Sequence, residues 1–182
     1  MNKSILITGS SDGLGKSIAL DFDRKGYNVL LHGRNLTKLD ALKTKIINLG
    51  VKCDYVIGDL RQENVIEDLY NAGVKYDIDL LVNNAGLYFN DKFENTSNEI
   101  FSDLISVNYL ASTKLIKFFF DFFKTKSDCL IININSLAGT MPSHMESAYS
   151  ASKHALSAFS KAIQFEANQN GISILDVYTG AM

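Results

Sequence analysis

Six short runs rich in β-branched and aliphatic residues recur along the chain: SILIT, NVLLH, CDYVIG, DLLVN, CLIININ and ISILDVY. Stretches with helical periodicity separate them, and this alternation constrains the fold more than any other feature. The intervals are long enough for crossover helices, and several runs are apolar on both faces, as strands buried in a parallel sheet must be. The pattern predicts an α/β fold, a doubly wound parallel sheet of six strands with helices on both faces. No internal repeat, low-complexity stretch or proline-rich linker interrupts it, so residues 1–182 are expected to form a single domain.

With 182 residues, 46% of them hydrophobic, and one Pro, the composition is that of a folded soluble protein. A chain of this length buries roughly 70% of its unfolded surface and needs no metal or disulfide to hold it. Cys53 and Cys129 have neither a CxxC spacing nor a histidine cluster beside them. They are expected as reduced thiols, with a disulfide the lesser alternative. The net charge of −2 is spread in both signs with no basic stripe, which argues against a nucleic-acid partner. The start, MNKSILITGSS, has an apolar run too short for a signal peptide or a membrane span. The FFFDFF run at Phe118 to Phe123 is likewise too short to span, and reads as core or subunit contact. No membrane partner and a cytoplasmic location are expected.

Two helices carry extra information. From Ser97 to about Lys124 the apolar positions Phe101, Leu104, Ala111, Leu115, Phe118 and Phe122 recur in steps of three or four, and Asn108 falls in that stripe. An inward amide needs partners: either Asn108 satisfies its neighbours' backbone, or it organises water or a kink beside a site. In the second helix Ala148, Ala151, Ala155, Ala158, Ala162 and Phe165 form a stripe whose small side chains predict close approach to another element. Tyr149 and Lys153 lie on the adjacent stripe at i and i+4, pointing to the same side.

The first strand runs into TGSSDGLG, which comprises Thr8, Gly9, Ser10, Ser11, Asp12, Gly13, Leu14 and Gly15, with a helix expected from near Leu14. Glycines there allow a tight turn and let the backbone approach a pyrophosphate, whose charge is favoured by free N–H groups at the helix N-terminus. The position between first strand and first helix is where a dinucleotide fold requires such a turn. The second strand ends in HGRN, with Gly33 and Arg34 where an acidic residue would hold a ribose 2′-hydroxyl. A guanidinium there offers charge-assisted bonds to a 2′-phosphate, which favours NADP(H) and leaves NAD(H) possible. Asp12 in the turn adds no basic support.

Taken together, TGSSDGLG, NNAG at Asn83 to Gly86, Ser136, and Tyr-x-x-x-Lys at Tyr149 and Lys153 resemble the short-chain dehydrogenases/reductases over nearly the whole chain. The resemblance implies a Rossmann-type sheet and an oxidoreductase interconverting a carbonyl and a secondary alcohol. It implies Tyr149 as general acid/base, Lys153 holding the nicotinamide ribose and favouring the phenolate, Ser136 bonding the reacting oxygen, and Asn108 in a proton-relay water chain. It also implies cofactor contacts at Gly9 to Gly15, at Asn83, Ala85 and Gly86, and at Asp59 and Leu60 beside the adenine. Asp59 also reads as a helix cap before Gln62. A homodimer or homotetramer and a small or medium organic substrate follow from the resemblance. The alternative is a catalytically silent module that senses the dinucleotide. His32, His144 and His154 have no partners that suggest a metal site, and none is given a catalytic role.

Members of that family continue past the sixth strand through a Pro-Gly turn, a substrate-covering helical segment and a seventh strand. Here the chain reads DVYTGAM, with Thr179 in place of the Pro and Gly180 kept. The sixth strand is therefore expected as an open apolar edge, and the pocket is expected to lack much of its cover. Of a longer protein, a short chain completed by oligomerisation and a protein without catalysis, the first is favoured. Met141 and Met145 offer adaptable apolar contacts to a substrate.

Overall fold

The computed structural model describes residues 2–180. All six runs form strands: β1 Ser4–Ile7, β2 Asn28–Gly33, β3 Cys53–Ile57, β4 Leu80–Asn83, β5 Cys129–Ser136 and β6 Ile172–Thr179. They build one sheet in the order β3-β2-β1-β4-β5-β6, with every pairing parallel. The crossovers carry α1 (Gly13–Arg24), α2 (Leu36–Ile47), α3 (Glu63–Lys75), α4 (Asn98–Ile105), α5 (Ala111–Lys124) and α6 (Ser147–Gln169). The chain winds outward from β1 to β3, then returns to pair β4 with the other side of β1. The order reverses there, and that reversal opens a crevice beyond the carboxyl ends of β1 and β4.

The doubly wound arrangement follows from the strands' two apolar faces. Leu6, Leu30, Leu81 and Ile131 face Leu69 of α3 and Phe119 and Phe123 of α5. The alternate residues Ile5, Ile7, Leu31 and Val82 face Ala19 of α1 and Leu39 and Ile46 of α2. Each side chain reverses face from its neighbour, so both layers are packed from the same short runs. Three helices start on side-chain caps: Asp12 accepts from the N–H of Gly13, Asn35 from Lys38, and Ser97 from Ile100. In α3, Gly73 admits Phe119, since a Cβ there would lie 2.5 Å from its Cζ.

One helix expectation needs correction. The stretch from Ser97 to Lys124 is not one regular helix, because a π-helical turn at Ser106–Leu110 divides α4 from α5. The turn's extra residue rotates the face that follows, so Ile116, Phe119 and Phe123 are buried while Phe118 and Phe122 lie at the core margin. In α6, Ala148 is buried and Ala155 half-buried, while Ala151, Ala158 and Ala162 are exposed and Phe165 is 71% exposed. The buried stripe is Ser150, Ser152, Lys153, Leu156, Ser157 and Ser160. Serines can face inward here because the helix satisfies part of their bonding, with Ser152 Oγ donating to Tyr149 O and Ser160 Oγ to Leu156 O.

Cys53 and Cys129 are both buried and free. They stand on β3 and β5, four strand spacings or roughly 19 Å apart, so the disulfide alternative is excluded by geometry. Burial pushes the Cys53 thiol up to about 12. Among the described residues the sheet's edges are β3 and β6, and on β6 Leu175 and Val177 are exposed. No helix among them is long and apolar enough to cross a membrane.

Candidate active site

The crevice is walled by the turns that follow β1, β2, β3 and β4. Gly9 has φ +64°, and a Cβ on it would lie 2.8 Å from Ala85 Cα. A Cβ on Gly15 would lie 2.5 Å from both Gly9 O and Asn84 Nδ2. The two glycines therefore serve the approach of one turn to another as well as to a ligand. Asn84 fastens them: its Nδ2 donates to Thr8 O at 2.9 Å and Gly9 O at 3.1 Å. Thr8 Oγ1 accepts from the N–H groups of Asn84 and Ala85, both at 3.0 Å.

Of the expected cofactor residues, Gly9, Ser11, Asp12, Arg34, Asp59, Leu60, Ala85 and Gly86 line the crevice, together with Gly33. Ser10, Gly13, Leu14 and Gly15 shape the turn without lining it. Asn83 does not line it either: it is buried, and its Nδ2 donates away from the crevice to Asn133 Oδ1 at 2.8 Å. The strand's alternation sends Asn83 under the sheet end and leaves Asn84 to hold the turn. Sequence reasoning missed Asn84, His32, Gly58, Leu87 and Val107 as lining residues. Asn84 lay within NNAG, and Gly58 precedes Asp59; His32 and Val107 had no local signal.

Charge at the mouth is arranged in pairs. Arg34, its side chain 66% exposed, lies 3.9 Å from Asp59 Oδ2. Arg61 grips Asp59 through Nε–Oδ1 at 3.0 Å and Nη2–Oδ2 at 2.7 Å, and its Nη1 donates to Asp103. These bonds hold the Asp59 carboxyl down at about 2. Lys38, which sequence reasoning passed over, pairs with Asp12 and lowers its pKa by hydrogen bonding. The Asp12 charge is thus offset from α2, and Arg34 presents the free guanidinium edge at the mouth. Glycine-bounded space beside a helix N-terminus, with a cation at the end of β2, fits a dinucleotide phosphate set.

At the other end of the crevice, Lys153 of α6 is 5% exposed, and its Nζ donates to Ile134 O at 2.9 Å. Burial pulls its pKa down to about 8, opposed by the Asp176 carboxylate. Nζ lies 6.0 Å from the centroid of the Tyr149 ring. A Cβ on Gly86 would lie 3.3 Å from Asn108 Oδ1 and 3.7 Å from Lys153 Nζ, so these two groups flank Gly86. Asn108 sits in the π-helical turn and bonds Leu87 both ways, with Oδ1 accepting at 2.7 Å and Nδ2 donating at 2.9 Å. Nδ2 also donates to Ser152 Oγ at 3.0 Å. Asn108 therefore satisfies neighbouring backbone and marks a helix distortion beside the site at once.

Ser136 closes β5, and its Oγ accepts from Ala138 N–H at 3.2 Å to cap the short turn Leu137–Gly139. That turn seats against α6, where a Cβ on Gly139 would lie 2.9 Å from Lys153 O. The Tyr149 ring is crossed by the Tyr88 ring in an edge-to-face pair at 5.0 Å, and Tyr88 OH donates to Glu146 Oε1 at 2.7 Å. Beneath them Asn133 Nδ2 donates to Ser160 Oγ at 2.9 Å and Asp176 Oδ1 at 3.1 Å, while Tyr178 and Ser157 share a bond of 2.7 Å. His144 is exposed, and His154 Nδ1 bonds Ser150 O within α6. Among the described residues no group of His, Cys, Asp and Glu could hold a metal ion.

A parallel sheet with a glycine-walled crevice at its reversal, and a tyrosine and a buried lysine on the helix that follows its fifth strand, defines a Rossmann-type α/β fold. The short chain dehydrogenase family profile matches residues 3–182, and the chain belongs to that family. It is 33% identical to human 17-beta-hydroxysteroid dehydrogenase type 3 over 184 residues, 98% of this chain and 59% of that protein. It is 31% identical to hydroxysteroid dehydrogenase-like protein 1 of Gallus gallus over 173 residues, 93% of this chain and 52% of that protein. The chain spans little more than half the length of these curated relatives. Among solved structures, the short-chain dehydrogenase from Sphingobium yanoikuyae in complex with NADPH superposes with a TM-score of 0.93 at 28% identity, covering 99% of this chain and 71% of that one. The alcohol dehydrogenase from Thermococcus sibiricus complexed with 5-hydroxy-NADP gives 0.93 at 27% identity, covering 100% and 77%.

Proposed function

We propose that this chain carries the cofactor site and proton-transfer groups of an NADP(H)-dependent oxidoreductase that interconverts a carbonyl and a secondary alcohol. The observation that carries the reading is that Lys153 Nζ would lie 3.7 Å from a Cβ on Gly86, a residue of the crevice wall that also includes Arg34, with the Tyr149 ring centroid 6.0 Å from the same Nζ. Tyr149 and Lys153 adjoin the crevice without lining it. The bound dinucleotide supplies hydride in reduction and accepts it in oxidation. Gly9, Ser11, Ala85 and Gly86 offer the backbone surface against which it would lie, and Arg34 favours a 2′-phosphate at the end of β2.

Tyr149 OH donates a proton to the carbonyl oxygen in reduction and takes one from the alcohol in the reverse direction. Lys153, nearly shielded from water, holds its Nζ 6.0 Å from the Tyr149 ring centroid, within reach of a ligand bound between the two. Ser136 Oγ, already an acceptor from Ala138, has its hydroxyl proton free to bond the reacting oxygen. Tyr88, Leu137 and Met141 are exposed beside these groups and suit a substrate with an apolar body. The exposed aromatic face of α5 and α6, with Phe159 and Phe165, supports pairing of two copies, and two free buried thiols support a cytoplasmic location.

The test is a purified full-length protein with NADPH and a panel of ketones and aldehydes. Turnover is expected, and Tyr149→Phe should lower kcat by about 10²–10⁴-fold while NADPH affinity persists. Equal turnover in the variant would remove Tyr149 from the mechanism.

A further inference from the structure

His32 ends up in the wall of the cofactor crevice although the chemistry proposed above does not use it. It is 2% exposed on β2, and its ring bridges two of the turns that form that wall. Nδ1 lies 3.3 Å from the N–H of Gly9, and Nε2 lies 3.2 Å from the carbonyl of Gly58, the residue before Asp59. A backbone N–H can only donate and a carbonyl only accepts, so the tautomer follows: Nδ1 bears the lone pair and Nε2 the proton. The residue's own backbone engages Ser10, with N–H donating to Ser10 Oγ at 3.0 Å and C=O accepting Ser10 N–H at 2.8 Å. One side chain thus ties the turn after β1 to the turn after β3, across β2.

Only the neutral ring fits this geometry, since a proton on Nδ1 would face the N–H of Gly9. The charged groups that face it are Arg34 beyond β2, Asp59 beyond β3 and Asp12 in the glycine turn. Asp59 is engaged by Arg61 and Asp12 by Lys38, so neither is free to hold an imidazolium. Burial dominates, and it pulls the His32 pKa down to about 4.

We propose that His32 is a positioning residue for the dinucleotide, a neutral strut that sets the separation between the phosphate-side turn at Gly9 and the adenine-side turn at Gly58. The proposal rests on the dinucleotide reading of the crevice and is independent of turnover. Cofactor binding measures it because the two turns grip opposite halves of the same ligand, and a change in their spacing loosens both.

Calorimetric titration of the full chain with NADP⁺ and with ADP-ribose compares wild type, His32→Leu, His32→Gln and Gly73→Ala. Loss of both ring bonds in His32→Leu should weaken NADP⁺ and ADP-ribose alike by about tenfold. His32→Gln, which has one acceptor and one donor, should recover part of that loss. Gly73→Ala perturbs packing against Phe119, away from the crevice, and should destabilise the protein with affinity unchanged. Long-range ¹H–¹⁵N correlation on wild type should show the Nε2-protonated tautomer at neutral pH. A folded His32→Leu protein that binds NADP⁺ within twofold of wild type overturns the proposal, as does an Nδ1-protonated ring if that variant fails to fold. No NADP⁺ binding by wild type would overturn the dinucleotide reading itself.

Discussion

The two ends of the crevice are held together by different means. On the β1-β2-β3 side the turns are tied by groups that are nearly all bonded: Thr8, Ser10, His32 and Asn84 each bridge backbone atoms, and glycines remove whatever would separate them. On the β4-β5-β6 side Lys153 and Ser136 stand over a network of the buried side chains Asn83, Asn133, Ser157 and Ser160 with the half-buried Asp176 and Tyr178. That network is incompletely satisfied, since Asn83 Oδ1 has no partner among the described residues, and nearby on β5 Asn135 Nδ2 has none either. The first side presents glycine-bounded backbone to the crevice. The second keeps polar groups dry around an ammonium that the same burial makes easier to discharge.

The sharpest way to break this contrast is at Asn133. Replacement by Leu leaves the Asn83 amide without its acceptor and removes a donor from both Ser160 and Asp176, so a loss of about 3 kcal/mol in urea unfolding is expected. A loss below about 1 kcal/mol would show that the network is incidental to stability.

Acid should expose the other side, with a limiting effect of nearly the same size. His32 is neutral in the fold with a pKa of about 4, while an unfolded histidine takes its proton near 6.5. As pH falls through this window the unfolded state gains a proton that the folded state refuses, and stability declines by about 3 kcal/mol at the limit. The difference in unfolding free energy between wild type and His32→Leu should therefore narrow from pH 7.5 to pH 4.5, with Asp23 and the other carboxylates common to both proteins. A constant difference would mean that His32 is not buried as a neutral ring.

The smallest expected effect is at the mouth. Arg34→Ala should weaken NADP⁺ by about tenfold and NAD⁺ by less than about threefold, read as Kd, because only the 2′-phosphate calls on the guanidinium. Equal loss for both cofactors would make Arg34 a general support of the turn.

Legibility in the sequence followed the same division. The glycine turn, Arg34 and NNAG were readable because each requirement is local: a positive φ at Gly9, or the residue at a strand's end. Even so, the amide that pins the turn is Asn84 and not Asn83, since which residue of a strand's last pair points outward depends on register. On the β4-β5-β6 side, periodicity placed Tyr149 and Lys153 near one another and misjudged the buried face of the helix after Ser97. The π-helical turn at Ser106–Leu110 moved burial from Phe118 and Phe122 to Phe119 and Phe123. In α6 Ser150, Ser152, Ser157 and Ser160 face in while Ala151, Ala158 and Ala162 are exposed, and Ser160 and Ser157 meet the polar groups of Asn133 and Tyr178.

The amino-acid sequence alone determined six strands, their parallel winding, the glycine turn between β1 and α1 and the placing of Tyr149 near Lys153, all of which depend on residues near one another in the chain. Tertiary structure alone decided the neutral strut at His32, the pairing of Asp12 with Lys38 and of Asp59 with Arg61, and the polar floor under Lys153. Each of these joins groups from separate strands or helices, and their energies depend on burial and distance, which no local pattern encodes.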